Sequence, residues 1–148
     1  MEPLQQAAEI TVSYKPNNQH KPVVNSSSDA YLVFKGFFSG DTISLQEQFA
    51  VMYLNRCGRV IGVFKLATGS MTRVVCDIRL VLAVALKTAA TGIMLCHNHP
   101  SESINPSVED TALTTQIKEA AKLMNITLLD HLIITRDNYY SFADDGLL

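Results

Sequence analysis

Residues 93–96 form a short run in which every side chain is apolar, Ile-Met-Leu-Cys. A strand with one face in water alternates apolar and polar residues, whereas a run that is apolar at every position is typical of a strand buried on both faces. Such a strand lies inside a sheet that other elements cover on both sides. This run therefore favours folds in which helices flank a central sheet.

Strand and helix patterns alternate over residues 30–142, which extends this interpretation to most of the chain. The turn residues Cys57-Gly58 separate two apolar runs and predict an antiparallel hairpin. The alternation predicts a three-layer α/β domain with a mixed sheet. Strands are predicted at residues 48–54, 60–66, 93–96, 126–134 and 139–142.

Helix starts and stops are predicted from capping residues. The polar segment 26–29, Asp77 and Ser107 each precede a helical pattern, and their side-chain oxygens can accept from free N–H groups. Gly92 suits the position just past the second helix, and Asn125 suits the left-handed stop of the third.

The domain organisation is simple, since 148 residues is the usual size of one domain and 47% hydrophobic residues can build a core. Residues 1–26 are the most polar stretch and read as an N-terminal extension, with a possible edge strand at residues 10–14 where side chains alternate. Residues 27–148 are expected to form the functional domain.

Charge and cysteine content restrict the partners. A net charge of −2 with scattered Lys and Arg argues against strong direct DNA binding. Three cysteines without a CxxC pair fit a reducing compartment. The start of the chain lacks the features of a signal peptide, and no apolar run approaches the ~20 residues of a membrane helix. We therefore expect a cytoplasmic protein with no membrane partner, and a homo-oligomer remains possible.

The segment that carries chemistry begins with His97-Asn-His99-Pro100 and ends at Asp110. Two histidines at i and i+2 after a buried strand point to the same side, and the proline stops the strand there. Asp110 lies one turn into the next helix, so two imidazoles and a carboxylate can converge. Three ligands with an open fourth position are typical of catalytic zinc. Cys96 faces the other way in a strand and is not counted as a ligand.

The spacing of the residues does not decide the role of Ser107 or the identity of the general base. Ser107 suits a helix N-cap, but its hydroxyl could also donate to an oxyanion beside the metal. A metallohydrolase also needs a base to take a proton from the metal-activated water, and Glu47, Glu102, Glu109 and Asp130 are all candidates.

Asp130-His131 is a polar pair inside an otherwise apolar predicted strand. Burying such a pair is unfavourable unless both side chains form hydrogen bonds. The pair is interpreted either as a satisfied structural feature or as a partner that orients a metal ligand.

The order His97-x-His99, seven residues, then Ser107-x-x-Asp110 resembles the JAMM signature, also called JAB or MPN+. The His97–Ser101 stretch, Pro106-Ser107 and the segment 129–133 look more narrowly like RadC-like proteins. So do Ser141-Phe142 and the closing Gly-Leu-Leu. The similarity runs from about residue 27 to the end.

This resemblance implies a cytidine-deaminase-like fold and one bound Zn²⁺ held by His97, His99 and Asp110. It implies that Glu47 is the general base for a zinc-activated water and that Ser107 helps to stabilise the tetrahedral intermediate. The reaction implied is hydrolysis of a peptide or isopeptide bond, so a peptide or protein substrate is expected. One departure is that residues 101–105 lack the glycine usual in this loop, which restricts the backbone.

The alternative is a DNA-repair or mobile-element accessory protein that acts by binding. The family carries a DNA-repair name, but the acidic pI of about 6.0 argues against direct repair chemistry. A zinc nucleoside deaminase would need His-x-Glu and Pro-Cys-x-x-Cys motifs, and the sequence contains neither.

Overall fold

The computed structural model describes residues 6–17, 20–72 and 74–148. Within these residues the strands form one five-stranded sheet in the order β2-β1-β3-β4-β5. β3 and β4 are parallel, and the other neighbouring strands are antiparallel. The predicted mixed α/β class and the β1–β2 hairpin are confirmed. The elements are α1 (Ser27–Phe37), β1 (Gln48–Leu54), β2 (Val60–Thr68), α2 (Ile78–Lys87), β3 (Gly92–Asn98), α3 (Val108–Leu123), β4 (Thr127–Ile134) and β5 (Tyr139–Ser141).

β3 is buried at every position, as the apolar run at residues 93–96 predicted, and β1 is buried at every position as well. Successive side chains of a strand point to opposite faces, so each of these strands contributes to two cores. The core on one face includes Ala30 and Phe34 of α1. The core on the other face includes Val81 of α2 and Ile117 of α3, among others. Helices therefore lie on both faces of the sheet.

The predicted helix starts are confirmed by their caps. The side chain of Ser26 accepts from the Asp29 N–H, that of Asp77 from the Arg79 N–H, and that of Ser107 from the Asp110 N–H. Asn125 has φ 56°, the left-handed conformation predicted for the end of α3. Local polar side chains thus decide where each helix begins.

The predicted role of Gly92 is wrong. α2 ends at Lys87, and the left-handed residue after it is Ala89, with φ 55°. Gly92 is instead the first residue of β3, where an added Cβ would lie 2.8 Å from Cδ1 of Leu129. A side chain at this position would require Leu129 to move, so the glycine leaves room for a β4 leucine directly against the β3 backbone.

A β-bulge at Leu129 changes which face of the sheet the rest of β4 presents. Ile93 pairs with Leu128, but the next residue, Met94, pairs with Asp130. An extra residue in one strand reverses the side-chain alternation beyond it. His131 consequently lies on the same face as Leu128 and not on the opposite one.

The predicted edge strand at residues 10–14 does not form. These residues carry no strand assignment, and Ile10 and Val12 are 86% and 74% exposed. With both apolar side chains in solvent, no buried face fixes a pairing register. The N-terminal segment instead pairs through Val23, which forms an isolated bridge with Arg59.

In the described ranges, each helix is too short or too polar to span a lipid bilayer.

Candidate metal centre

The two histidines leave the carboxyl end of β3 on one side of the sheet. His97 lies within β3, and the His99 N–H continues the pairing by donating to the Ile134 carbonyl at 3.1 Å. The ring of His97 stacks on Phe49 at a centroid distance of 5.8 Å and is almost fully buried. The Nε2 atoms of His97 and His99 are 3.0 Å apart.

Asp110 reaches the histidines from the first turn of α3. A capping box fixes it: the Asp110 N–H donates to Ser107 Oγ at 3.0 Å, and the Ser107 N–H donates to Asp110 Oδ2 at 2.9 Å. Asp110 Oδ1 then lies 3.3 Å from His97 Nε2, and Oδ2 lies 3.4 Å from His99 Nε2. The helix cap therefore aims the carboxylate at both rings.

The proton positions leave electron pairs facing the centre of this cluster. His99 Nδ1 lies 2.7 Å from the Ser103 carbonyl, which only accepts, so the neutral ring carries its proton on Nδ1 and presents a lone pair at Nε2. An Asp110 carboxylate also only accepts. His99 and Asp110 thus both present electron pairs to the centre of the cluster, where a cation can accept them.

The spacing of the three side chains fits a metal ion. A tetrahedral ion with metal–nitrogen bonds of about 2.0–2.1 Å separates neighbouring ligand atoms by about 3.4 Å. Here the two Nε2 atoms are 3.0 Å apart, Asp110 Oδ1 lies 3.3 Å from His97 Nε2, and Asp110 Oδ2 lies 3.4 Å from His99 Nε2. Among the described residues, His97, His99 and Asp110 are the one group of three His, Cys, Asp or Glu side chains with potential ligand atoms all within 4.8 Å. They form a candidate metal site.

The electrostatics of the cluster also favour a cation. Burial alone would raise the pKa of Asp110, but its contacts with the two imidazoles outweigh this and hold the pKa well below the usual range. The contact with Asp110 raises the pKa of His99, against partial desolvation. The carboxylate is therefore ionised and negative at neutral pH.

Asn98, between the two histidines, clamps the neighbouring loop, a role that no sequence pattern predicts. Its side chain is fully buried on the opposite face, where Oδ1 accepts from the Gln48 N–H at 2.7 Å. Its Nδ2 donates to the carbonyls of Ile43 and Gln46 at 2.7 and 2.8 Å. These three bonds hold residues 43–48 against β3, and Glu47 lies within that segment.

Glu47 faces the cluster across a cavity of about 520 Å³, which Ser107 and Glu109 also line. Desolvation raises the pKa of Glu47, and the nearby rings of His97 and His99 lower it in part. The Glu47 carboxylate thus lies close enough to interact electrostatically with both histidines, although it is not one of the three candidate ligands.

Asp130 and Glu102 have other roles. Both oxygens of Asp130 are occupied: Oδ2 accepts from the Ser141 hydroxyl at 2.6 Å, and Oδ1 accepts from the backbone N–H groups of His131 and Ala143. Glu102 has φ 69°, the left-handed conformation that favours glycine. The loop thus keeps a glycine-like backbone without the glycine.

His131 and Thr114 lie next to the candidate ligands, whereas Cys96 does not. His131 contacts a candidate ligand directly, with Nε2 2.8 Å from His97 Nδ1, which supports the orienting interpretation. Thr114 contacts His131 in turn, at 2.6 Å. Thr114 has no predicted role, although its position four residues after Asp110 places both residues on one face of α3. Cys96 is buried in the core on the opposite face, as expected.

Comparison with known proteins gives one consistent family. The chain matches the family of RadC-like JAB domains over residues 24–147. It is 40% identical over 124 residues to a UPF0758 protein of Flavobacterium johnsoniae, covering 84% of this chain and 53% of the relative. It is 36% identical over 142 residues to one of Porphyromonas gingivalis, covering 95% and 63%.

A third relative, a UPF0758 protein of Streptococcus gordonii, is 42% identical over 100 residues, covering 68% of this chain and 44% of the relative. The chain thus spans roughly half of the length of these relatives. The match over residues 24–147 and the identities of 36% and 40% over most of the chain show that it belongs to the family of RadC-like JAB domains.

Proposed function

We propose that this domain is a zinc-dependent metallohydrolase that cleaves peptide or isopeptide bonds of a protein substrate. The observation that carries the proposal is the candidate metal site of His97, His99 and Asp110, which faces a second carboxylate, Glu47, across one cavity. Two imidazoles and one carboxylate form a ligand set known for catalytic zinc, with a position left for water. The proposal includes the three-layer, cytidine-deaminase-like architecture and the functional domain at residues 27–148.

A bound zinc ion would supply a polarised water whose pKa is lowered toward ~7. In this proposal Glu47 accepts a proton from that water and later delivers it to the leaving amine. Partial burial supports the role, because it raises the pKa of Glu47 and makes the carboxylate a better base near neutral pH. The clamp by Asn98 would keep Glu47 at a fixed distance from the ligands.

Ser107 is proposed to donate its hydroxyl proton to the oxyanion of the tetrahedral intermediate. Its Oγ accepts from the Asp110 N–H, and this bond uses a lone pair of the oxygen. The hydroxyl proton is still available for a second partner, and Ser107 lines the cavity. The cap and the oxyanion contact are thus compatible in one residue.

The first experiment measures metal content. Purified wild-type protein and His99→Ala are loaded with Zn²⁺, dialysed and analysed for bound metal. We expect about one zinc per wild-type chain and a large loss in the variant, because one of three ligands is removed. Equal metal content in both proteins would contradict the ligand assignment.

The second experiment measures cleavage of a peptide library by the zinc-loaded protein. Glu47→Gln should lower kcat by about 10²–10⁴-fold while zinc remains bound, since a general base contributes that much. Glu119→Gln is the matched control, because Glu119 is exposed on α3. Full activity of Glu47→Gln would refute its role. No cleavage by any form, together with salt-dependent retention on DNA, would favour the DNA-binding alternative.

A further inference from the structure

A chain of hydrogen bonds runs from α3 through β4 to the first histidine of the candidate metal site. The Thr114 hydroxyl lies 2.7 Å from the Asp110 carbonyl and 2.6 Å from His131 Nδ1. On the other side of the same ring, His131 Nε2 lies 2.8 Å from His97 Nδ1. Thr114, His131 and His97 are all buried.

The direction of these bonds follows from chemistry. A carbonyl only accepts, so the Thr114 hydroxyl donates its single proton to Asp110. Its oxygen is then an acceptor toward His131, whose Nδ1 must carry the proton. The His131 ring is fully buried and stacks on Phe142 at 4.9 Å, surroundings that favour the neutral ring with one proton.

We propose that Thr114 and His131 are positioning residues that hold His97 in the tautomer needed to bind metal. With its proton on Nδ1, His131 presents a lone pair at Nε2, which accepts the Nδ1–H of His97. His97 Nε2 is then free of a proton and faces His99 and Asp110. The opposite direction of the chain would place a proton on His97 Nε2 and block the site.

The β-bulge at Leu129 makes this series of hydrogen bonds possible. Without the extra residue, His131 would face the core on the other side of the sheet. The fold therefore brings these side chains together: the bulge in β4 places His131, and the sheet-facing side of α3 places Thr114 beside it. That side of α3 continues through Ile117 and Ala121, which are also buried.

α3 contains a matched control for the threonine. Thr115 donates to the Thr111 carbonyl at 3.1 Å, the same bond to the residue four positions earlier that Thr114 makes. Thr115 is exposed, however, and Thr114 contacts His131. Thr114→Val and Thr115→Val therefore each remove an equivalent bond from a threonine hydroxyl to a helix carbonyl. Thr114→Val alone also removes the hydroxyl oxygen that accepts from His131.

The test reads the tautomers by nitrogen–proton NMR correlation of the imidazole rings, in the metal-free protein at mildly alkaline pH. The four histidines of the chain can be assigned with single variants. The wild type should show the proton of both His131 and His97 on Nδ1. In Thr114→Val we expect both rings to shift toward the Nε2–H form, whereas Thr115→Val should match the wild type.

Zinc affinity, measured by competition with a chromophoric chelator, gives the second readout. Thr114→Val should weaken binding by about 10–100-fold, as for other partners that orient metal ligands. Thr115→Val should stay within about twofold, and Thr114→Ser should restore most of the affinity because it keeps the hydroxyl.

This inference rests on the proposed zinc site but not on hydrolysis, so a protein that binds zinc and cleaves nothing would still test it. A proton on Nε2 of His131 in the wild-type protein would overturn it, even if Thr114→Val fails to fold. So would a folded Thr114→Val with unchanged tautomers and unchanged zinc affinity.

Discussion

The clamp formed by Asn98 leads to a quantitative prediction for Asn98→Asp. The substitution keeps the shape of the side chain and the oxygen that accepts from the Gln48 N–H. It replaces the Nδ2 group, which donates to the carbonyls of Ile43 and Gln46 at 2.7 and 2.8 Å, with a second oxygen. No cavity is created, so the loss of stability reports the two lost donated bonds together with the burial of a carboxylate beside two carbonyl oxygens.

The magnitude follows from burial. Asn98 is 0% exposed, so both carbonyls lose a partner that water cannot easily replace. A buried polar group left without a partner costs about 1–3 kcal/mol, and two of them together predict a loss of about 2–6 kcal/mol in the free energy of unfolding, to which the buried carboxylate adds. For a domain of this size that corresponds to a fall in Tm of roughly 5–25 °C.

The assay is urea unfolding of the wild type and two variants at neutral pH, followed by circular dichroism. Asn138→Asp is the matched control, because it makes the same chemical change at an exposed residue whose Oδ1 accepts from the Tyr139 N–H. We expect the control to stay within about 0.5 kcal/mol of the wild type. A loss below about 1 kcal/mol in Asn98→Asp would show that the clamp is not what holds residues 43–48 in place.

Three smaller predictions concern other residues. Burial raises the pKa of the Cys76 thiol to about 12, so little Cys76 thiolate forms at neutral pH. Iodoacetamide should therefore modify the exposed Cys57 well before Cys76, as peptide mass spectrometry would show. Desolvation and a 2.6 Å hydrogen bond to Asp145 raise the pKa of Tyr140 to about 12, so Asp145→Asn should lower the midpoint of that tyrosine in an ultraviolet titration, and an unchanged midpoint would contradict the contact. Glu102→Gly should stabilise the protein by about 0.5–1 kcal/mol in thermal unfolding, because φ 69° is unfavourable for a residue with a Cβ; a destabilised variant would mean that the Glu102 side chain makes a contact worth more than the strain.

Several features could be predicted from the sequence because their causes are local. The caps at Ser26, Asp77 and Ser107 each act within three residues along the chain, and the turn of the β1–β2 hairpin at Gly58 is equally local. The motif from His97 to Asp110 is contiguous in sequence, and it indicated the family that the comparisons show.

Other predictions failed or stayed untested because their causes are not local. Whether residues 10–14 form a strand depends on a partner and a buried face, and the alternation of side chains reports neither. The sequence predicts that Gly92 follows the end of a helix, but Gly92 begins β3 and lies against Leu129, which is distant in sequence. The roles of Glu47 and Ser107, the identity of the metal and the expected cytoplasmic location stay predictions.

The sequence by itself determined the mixed α/β class, the helix boundaries set by caps, and the set of candidate ligands, because hydrophobic periodicity and capping act over a few neighbouring residues. Only the tertiary structure decided that Asn98 clamps the segment carrying Glu47, and that Thr114 and His131 complete a chain to His97. These contacts join residues 17 to 55 positions apart. The contacts of His131 with Thr114 and His97 also depend on a single bulge in β4, which reverses the faces of that strand and which residue-by-residue preferences do not reveal.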